Sequence, residues 1–216
     1  MLALAALTAL AGCGSDDRPT TFDLARGVVG GVLPGGDDAA QDARAVLTPA
    51  MIANSPTSAL LAVLVERDVG YTLVPNAVNG ETVQWRDISG GGLMQRDGIL
   101  VGTRGLGWDL FTADVSGLSA ALRGGGGRDV LRVNRFIDGT NKVRARQYLC
   151  DVVAVGREAI DVYGRIDRTT LFEERCTGET DAFVNRYWLR SDGLIVRSRE
   201  RVSPQFGDIE LTLVAE

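Results

Sequence analysis

The sequence predicts a mainly β protein, in which one antiparallel sheet closes into a barrel or folds as a sandwich. Its C-terminal half carries seven evenly spaced segments of strand length, at residues 130–137, 143–155, 160–168, 170–175, 182–190, 194–202 and 209–214. Turn signals separate several of these segments, at Asp138-Gly139, Gly156 and Asp192-Gly193. Strands that follow one another through tight turns pair antiparallel, because a short connection reverses the chain.

The N-terminus has the features of a bacterial lipoprotein signal. An uncharged apolar run precedes Leu10-Ala11-Gly12-Cys13, which fits a lipobox. We expect residues 1–12 to be removed as a signal peptide and the Cys13 thiol to carry diacylglycerol. The alternative is an ordinary cysteine at the end of a signal peptide. The run lacks the basic residues that begin such a peptide, so we expect the natural start a few residues upstream.

The residue after Cys13 predicts which membrane holds the protein. Gly14 stands where lipoproteins retained at the inner membrane carry Asp. We therefore expect a protein that is lipid-anchored to the outer membrane and faces the periplasm. Residues 13–36 are rich in Gly and Asp and predict a flexible tether between the lipid and the folded body.

Residues 37–216 predict a single β-rich domain in the periplasm. Short helices are expected near residues 38–54, where an Ala-rich stretch precedes the helix-starting pair Thr48-Pro49. Apolar runs at 59–66, 71–75, 82–86 and 99–103 predict strands. Residues 107–122 predict a further short helix, because their large apolar residues share one helical face: Trp108, Leu110, Phe111, Val115, Leu118 and Leu122. A loop is expected at the glycines of 124–127.

Two cysteines remain after Cys13, and an even number in an exported protein predicts a disulfide between Cys150 and Cys176. Two free buried thiols are the alternative. Zinc is disfavoured because the chain contains no histidine to complete a set of four ligands. The net charge of −5, without any basic block, disfavours nucleic acid as a partner.

Two parts of the sequence resemble a known lipoprotein family. Residues 97–110 read DGILVGTRGLGWDL, similar to the "dGrlv.T.Gl..Dl" pattern of the YjbF/GfcB family, which follows a strand that carries a tryptophan, in this chain Trp85. Further on, Asn185-Arg186-Tyr187-Trp188 leads to GLIVRS at 193–198 and VSP at 202–204, again similar to the family. Glu200 stands where the family often has Gln.

The resemblance implies a lipoprotein encoded with exopolysaccharide or group 4 capsule genes. It implies the polysaccharide and an outer-membrane protein of the YjbH/GfcD type as partners, and it supplies no active site. We therefore expect a non-catalytic accessory in exopolysaccharide or capsule assembly or export, without cofactor or metal. The alternatives are a polysaccharide-modifying enzyme and a purely structural envelope lipoprotein that docks an outer-membrane protein.

The residue types agree with a protein that is not an enzyme. Without histidine the chain lacks His-based triads and the commonest general base near neutral pH. The adjacent carboxylates Glu173 and Glu174 point to opposite faces if they lie on a strand. Glycosidases need two carboxyl groups ~5–9.5 Å apart across one sugar, which such neighbours do not provide.

Aromatic and basic residues suggest where a glycan could bind. The three tryptophans, Trp85, Trp108 and Trp188, are either core aromatics or platforms for sugar rings. Trp108 is the preferred candidate, because Arg104 and Asp109 lie beside it in the family-like segment. A second candidate is a groove for anionic polysaccharide near residues 124–127, where four arginines cluster unless they only form a solvated face: Arg123, Arg128, Arg132 and Arg135.

Overall fold

Twelve antiparallel strands form a single sheet in the computed structural model of the protein. The structure describes residues 42–137 and 142–216. The predictions for the signal peptide, for the lipid on Cys13, for the tether at 13–36 and for the Asp138-Gly139 turn lie outside these residues. Within the described ranges, no helix is long and apolar enough to cross a membrane.

The strands are β1 (Ala59–Leu64), β2 (Val69–Asn79), β3 (Thr82–Arg86), β4 (Gly92–Arg96), β5 (Ile99–Arg104), β6 (Leu110–Asp114), β7 (Gly127–Ile137), β8 (Val143–Val162), β9 (Arg165–Gly178), β10 (Ala182–Arg190), β11 (Ile195–Ser203) and β12 (Gly207–Ala215). The helices are α1 (Ala43–Val46), α2 (Pro49–Ala53) and α3 (Ser116–Gly124), and a short 3₁₀ turn spans Val65–Arg67.

The strand order shows how the sheet curls into a barrel. It runs β5-β4-β3-β2-β1-β12-β11-β10-β9-β8-β7-β6, so consecutive strands are hydrogen-bonded neighbours except β5 and β6, and the last strand pairs with the first. The two edge strands, β5 and β6, are joined by a short loop and pack against each other, which nearly closes the barrel. The prediction of a mainly β, antiparallel fold is confirmed, and the sheet forms the barrel rather than the sandwich.

Strand β1 shows why the core has two parts. Its sequence ALLAVL is apolar on both faces, because successive side chains point to opposite sides of a sheet. Leu60 and Leu64 join the main core inside the barrel. Leu61 points outward into a second apolar cluster, beside Val196 and Val214.

A long hairpin covers this second cluster from outside. Its strands β8 and β9 turn at Tyr163-Gly164, where both residues have positive φ (53° and 90°), as a type I′ turn requires. Ile160 and Val162 near the tip pack into the outer cluster. Helices α1 and α2 lie over the same face through Ala43 and neighbouring side chains.

The structure corrects the predicted turn at Gly156. β8 continues through Gly156 to residue 162, and the register shift between Ala154 and Gly156 marks a bulge that leaves Val155 unpaired. A glycine within a strand pattern is as compatible with a bulge as with a turn. The predicted break between residues 168 and 170 is also absent, because β9 is continuous there.

The predicted helix at 107–122 is only partly helical. Residues 110–114 form β6, and the helix α3 spans Ser116–Gly124. Leu110 from the strand and Leu118 and Leu122 from the helix all reach the main core, so the apolar residues share a core without sharing one helical face. The predicted glycine loop shrinks, because Gly124 ends α3 and Gly125 adopts φ 84° as its left-handed C-cap.

Cys150 and Cys176 form a disulfide. They lie opposite each other in the register of β8 and β9, and both side chains are buried inside the barrel beside Tyr148 and Phe183. The bond therefore clamps the two strands at the root of the long hairpin.

Candidate functional site

A loop at residues 105–109 joins the two edge strands and is organised by Asp109. The Asp109 carboxylate accepts hydrogen bonds from the Thr103 hydroxyl (2.8 Å) and from the backbone N–H groups of Gly105 (3.1 Å) and Leu106 (3.2 Å). Gly105 has φ 88°, a conformation that favours glycine. The Asp109 carboxylate thus acts within the loop, where it fixes the turn.

Side chains bridge the seam between β5 and β6, where the described strands share no backbone ladder. The Thr103 hydroxyl accepts a hydrogen bond from the Leu110 N–H at 3.0 Å. The Arg104 guanidinium donates to the carbonyl oxygens of Thr103 (2.6 Å) and of Leu110 and Phe111 (both 3.4 Å). It also lies over the Phe111 ring, 5.3 Å from the centroid. Arg104 therefore uses its N–H donors to close the barrel, and these donors are not available to bind a glycan.

The three tryptophans occupy different environments. Trp85 is 7% exposed and belongs to the main core, which leaves its ring little surface to offer. Trp188 packs against the outer apolar cluster, and its indole N–H donates to Glu158 at 2.7 Å. Trp108 is 54% exposed in the loop between the edge strands, and its carbonyl accepts a hydrogen bond from Ser203. Among the three, Trp108 has the open ring face that a sugar could stack on.

The four arginines near residues 124–127 do not line one groove. Arg132 is 1% exposed and points into the barrel, which corrects its assignment to a surface groove. Arg128 is exposed and Arg135 lies on the outer side of β7, while Arg123 on α3 pairs with Asp97 at 3.2 Å. Period-two alternation along β7 explains the difference, because it sends residue 132 inward and residue 135 outward.

Arg132 belongs to a buried network that sequence reasoning did not find. We call it the interior polar cluster: Arg132, Glu174, Asn185, Tyr187 and Glu200, all at most 1% exposed. The Arg132 guanidinium donates to Glu174 at 2.9 Å, and the Asn185 amide donates to the same carboxylate at 2.7 Å. The Tyr187 hydroxyl lies 3.1 Å from both carboxylates.

Glu200 links this cluster to an edge strand. Both of its carboxylate oxygens lie 3.1 Å from the backbone nitrogen of Leu100 in β5, which donates to them. Leu100 is on the strand that closes the barrel, so the bond ties β5 to β11 across the interior. The cluster thus satisfies an edge-strand N–H that would otherwise be buried without a partner.

Burial sets the protonation of the cluster. Removal from water raises the pKa of Glu200 to about 7, despite the nearby Arg132 charge, which favours the carboxylate. Burial also raises the pKa of Tyr187 well above its usual range, and the Glu174 charge adds to that rise. For Arg132, burial opposes the charged form, but the charges of Glu174, Tyr187 and Glu200 and the hydrogen bond to Glu174 together outweigh it, and the pKa is raised. Two carboxyl groups and one guanidinium are electrically balanced when Glu200 carries a proton.

The cluster has no route to a substrate. Its members are sealed from solvent, and the disulfide sulfurs lie beside Glu174. Cys150, Cys176 and Glu174 place their ligand-type atoms within 4.8 Å of one another, but the sulfurs are bonded to each other and offer no thiolate to a metal. Glu173, on the opposite face of β9, pairs instead with Arg175 and Arg186. The prediction that Glu173 and Glu174 point to opposite faces of a strand is confirmed.

A cleft of about 810 Å³ opens at the end of the barrel where β5 begins, away from the Trp108 loop. We call it the end cleft. Asp97 of the β4–β5 turn, helix α3, the β10–β11 turn and the middle of the β8–β9 hairpin form its walls. Its floor is the end of the main core: Ile99, Leu122, Phe172, Leu189 and Ile195.

The walls of the end cleft carry four arginines, and two of them are engaged. Arg123 pairs with Asp97, and Arg190 pairs with Asp192 at 2.8 Å and with the buried Asp167 at 3.2 Å. The other two, Arg157 and Arg168, lie on the β8–β9 hairpin.

Comparison with known proteins decides the family. The family model of YjbF, the group 4 capsule polysaccharide lipoprotein GfcB, matches residues 24–214. The chain belongs to the YjbF family. No curated protein matches the chain significantly. Among solved structures, the hypothetical lipoprotein YmcC from Escherichia coli K12 is similar, with a TM-score of 0.73 and 18% identity over 93% of this chain and 98% of that one. At this identity the likeness shows a shared fold.

The segment that resembles the YjbF family coincides with the seam of the barrel. The segment at 97–110 that carries the resemblance forms the β4–β5 turn, β5, the Asp109 loop and the start of β6. It closes the barrel. The end cleft and the exposed Trp108 are two candidate sites for a sugar on the described surface of this YjbF-family barrel.

Proposed function

We propose that the protein is a lipoprotein anchored to the outer membrane through Cys13, faces the periplasm, and acts as a non-catalytic accessory in capsule or exopolysaccharide assembly or export. The family supports the link to capsule polysaccharide. The lipobox at residues 10–13 supports the anchor. Two or three acyl chains hold a protein stably, because each buried CH₂ adds ~0.8 kcal/mol.

The observation that carries the proposed mechanism is the end cleft. Core side chains fill the described interior of the barrel, so a polysaccharide has to bind on the surface. The end cleft is an open concavity of about 810 Å³ with an apolar floor and polar walls. Sugar rings combine apolar C–H faces with polar edges and fit such a lining. We propose that the protein holds the nascent polysaccharide there during export.

The same geometry supports a non-catalytic role. The carboxyl pair of the interior polar cluster is out of reach of any sugar, because Glu174 and Glu200 are fully buried. In the end cleft, Asp97 and Asp192 each have an arginine partner, and Glu158 accepts the Trp188 indole N–H. The Arg190 guanidinium lowers the pKa of Asp192 and so favours its ionised form, whereas a glycosidase needs one protonated acid beside its base.

The anchor and the accessory role are tested in a deletion strain. Wild-type protein should restore surface polysaccharide, and Cys13→Ala should lose fatty-acid labelling, membrane association and most of that restoration. Ser15→Ala, two residues further on, is the matched control and should behave as wild type. Fatty-acid labelling that survives in Cys13→Ala overturns the anchor, and normal polysaccharide export in the deletion strain overturns the accessory role.

Docking of an outer-membrane protein is a second candidate function, because two exposed apolar pairs lie on the outer face of β7 and β8. Leu131 and Leu149 are directly paired across β7 and β8, and each is more than half exposed. Ile137 and Val143 form a second exposed pair further along. Exposed apolar patches of this kind mark interaction sites. Leu149→Asp should abolish crosslinking to a YjbH/GfcD-type protein, and undiminished crosslinking would count against this face.

A further inference from the structure

Arg157 and Arg168 stand on one face of the β8–β9 hairpin where it lines the end cleft. In the strand register Arg157 lies opposite Thr170, and Arg168 lies opposite Ala159. The two arginines are therefore diagonal neighbours on the same side of the hairpin, with Cα atoms about 7–8 Å apart. Both side chains line the cleft, together with Thr170 and Ala159.

Neither guanidinium is engaged within the described part of the chain. Arg157 and Arg168 are exposed, and no ion pair, hydrogen bond or ring contact holds either of them there. The other arginines of the cleft, Arg123 and Arg190, have carboxylate partners. In a protein with a net charge of −5, two unengaged cations side by side in the end cleft are a specific feature.

The residues around the two arginines indicate the chemical class of the ligand. A guanidinium binds a carboxylate through two parallel hydrogen bonds, and this planar fork is the reason arginine recurs at carboxylate sites. The cleft floor beneath, with Phe172 and Ile195, is apolar and suits the C–H face of a sugar ring. A free inorganic anion would use the arginines but not the floor. A chain of sugars that carry carboxylates uses both.

From this placement, and resting on the proposed function, we infer that the end cleft binds an acidic polysaccharide, with Arg157 and Arg168 as its carboxylate contacts. Specificity for acidic over neutral glycans then comes from the hairpin, and ring stacking on the floor supplies contact area.

The test measures binding of the full-length lipidated protein, in nanodiscs, to two probes of equal length. Oligogalacturonate carries a carboxylate on every ring, and a maltooligosaccharide carries none. We expect oligogalacturonate to bind at least tenfold more tightly. Arg157→Gln and Arg168→Gln should each weaken its binding about tenfold, because each removes a charge-assisted contact. The variants should unfold at the wild-type temperature, since neither side chain is engaged.

Arg128→Gln is the matched control, because Arg128 is also exposed but lies outside the cleft lining. It should bind oligogalacturonate as wild type does. Equal binding of both probes, no binding of either, or undiminished binding by the Arg157→Gln/Arg168→Gln double variant each overturns the inference. Full competition by inorganic phosphate at matched ionic strength also overturns it, in favour of a general anion site. The proposed function fails separately, when the deletion strain exports polysaccharide normally.

Discussion

Substitution of Glu200 by Gln should stabilise the protein, and increasingly so as the pH rises. Glu200 is fully buried, and both carboxylate oxygens face the Leu100 N–H. Gln has nearly the same shape and keeps a carbonyl oxygen for that donor. Its amide can donate to the Tyr187 oxygen, which lies 3.1 Å from the Glu200 carboxylate. The change therefore removes only the titration of a buried acid.

The size and sign of the effect follow from the pKa of Glu200. It is about 7 in the folded chain against 4.5 for the ordinary group. Between those pH values the folded state binds more protons than the unfolded state, so the Glu200 contribution to stability is lost as the pH rises. A tenfold change in proton affinity is about 1.4 kcal/mol, so the loss across this window approaches about 3 kcal/mol. Glutamine, which does not titrate, avoids this loss.

Denaturant unfolding at pH 4.5, 6 and 8.5 measures the effect. The free energy of unfolding of Glu200→Gln minus that of wild type should grow by about 2–3 kcal/mol from the lowest to the highest pH. Comparison with wild type at each pH cancels the other titrating groups. Glu179→Gln, an exposed acid in the β9–β10 turn, is the control and should show a flat difference. A flat difference for Glu200→Gln as well would refute the reasoning.

Three further changes test the disulfide, the sheet and the seam. Replacing Cys150 and Cys176 with Ala should lower the free energy of unfolding by roughly 3 kcal/mol, because the bond closes a loop of 26 residues, and chemical denaturation checks this. Gly92→Ala should unfold the protein or sharply lower its melting temperature, since the new Cβ collides with a backbone carbonyl of β3; Gly91→Ala, where a movable side chain is nearest, should be mild. Asp109→Ala should cost about 1–3 kcal/mol and increase hydrogen exchange at residues 103–110, because the loop N–H groups lose their acceptor.

Strand periodicity predicted most of the barrel, and the errors have local causes. At Gly156 a bulge and a turn have the same sequence signature, so only the partner strand shows that β8 continues. At 107–122 apolar spacing suggested one helical face. Leu110 and Leu118 instead reach the same core from a strand and from a helix. Spacing along the chain does not reveal such a change of element when both elements bury their residues in one place.

The interior polar cluster was missed for a different reason. A single Glu in a strand is normally placed on the solvent side, because an ionised carboxylate is costly to bury. The sequence did carry a signal, since Glu174 lies between the inward residues Phe172 and Cys176 at period two. Its partner Arg132 is 42 residues away, and that distance places the pairing beyond sequence reasoning. A charged residue that lies an even number of positions from a buried cysteine in the same strand is a usable sign of an interior ion pair.

The residues that resemble the family and the residues that we propose bind the glycan lie in different parts of the barrel. Asp97, at the start of the family-like segment, accepts a hydrogen bond from the Ser119 hydroxyl at 3.0 Å, which ties the β4–β5 turn to α3. Later members of the segment, Arg104 and Asp109, hold the seam. Arg157 and Arg168 of the end cleft lie outside that segment, on a hairpin whose strands are joined by the disulfide at its root. In this chain the segment that resembles the family therefore closes the barrel, and we expect substitution of Arg157 or Arg168 to change the proposed glycan binding without disturbing the fold.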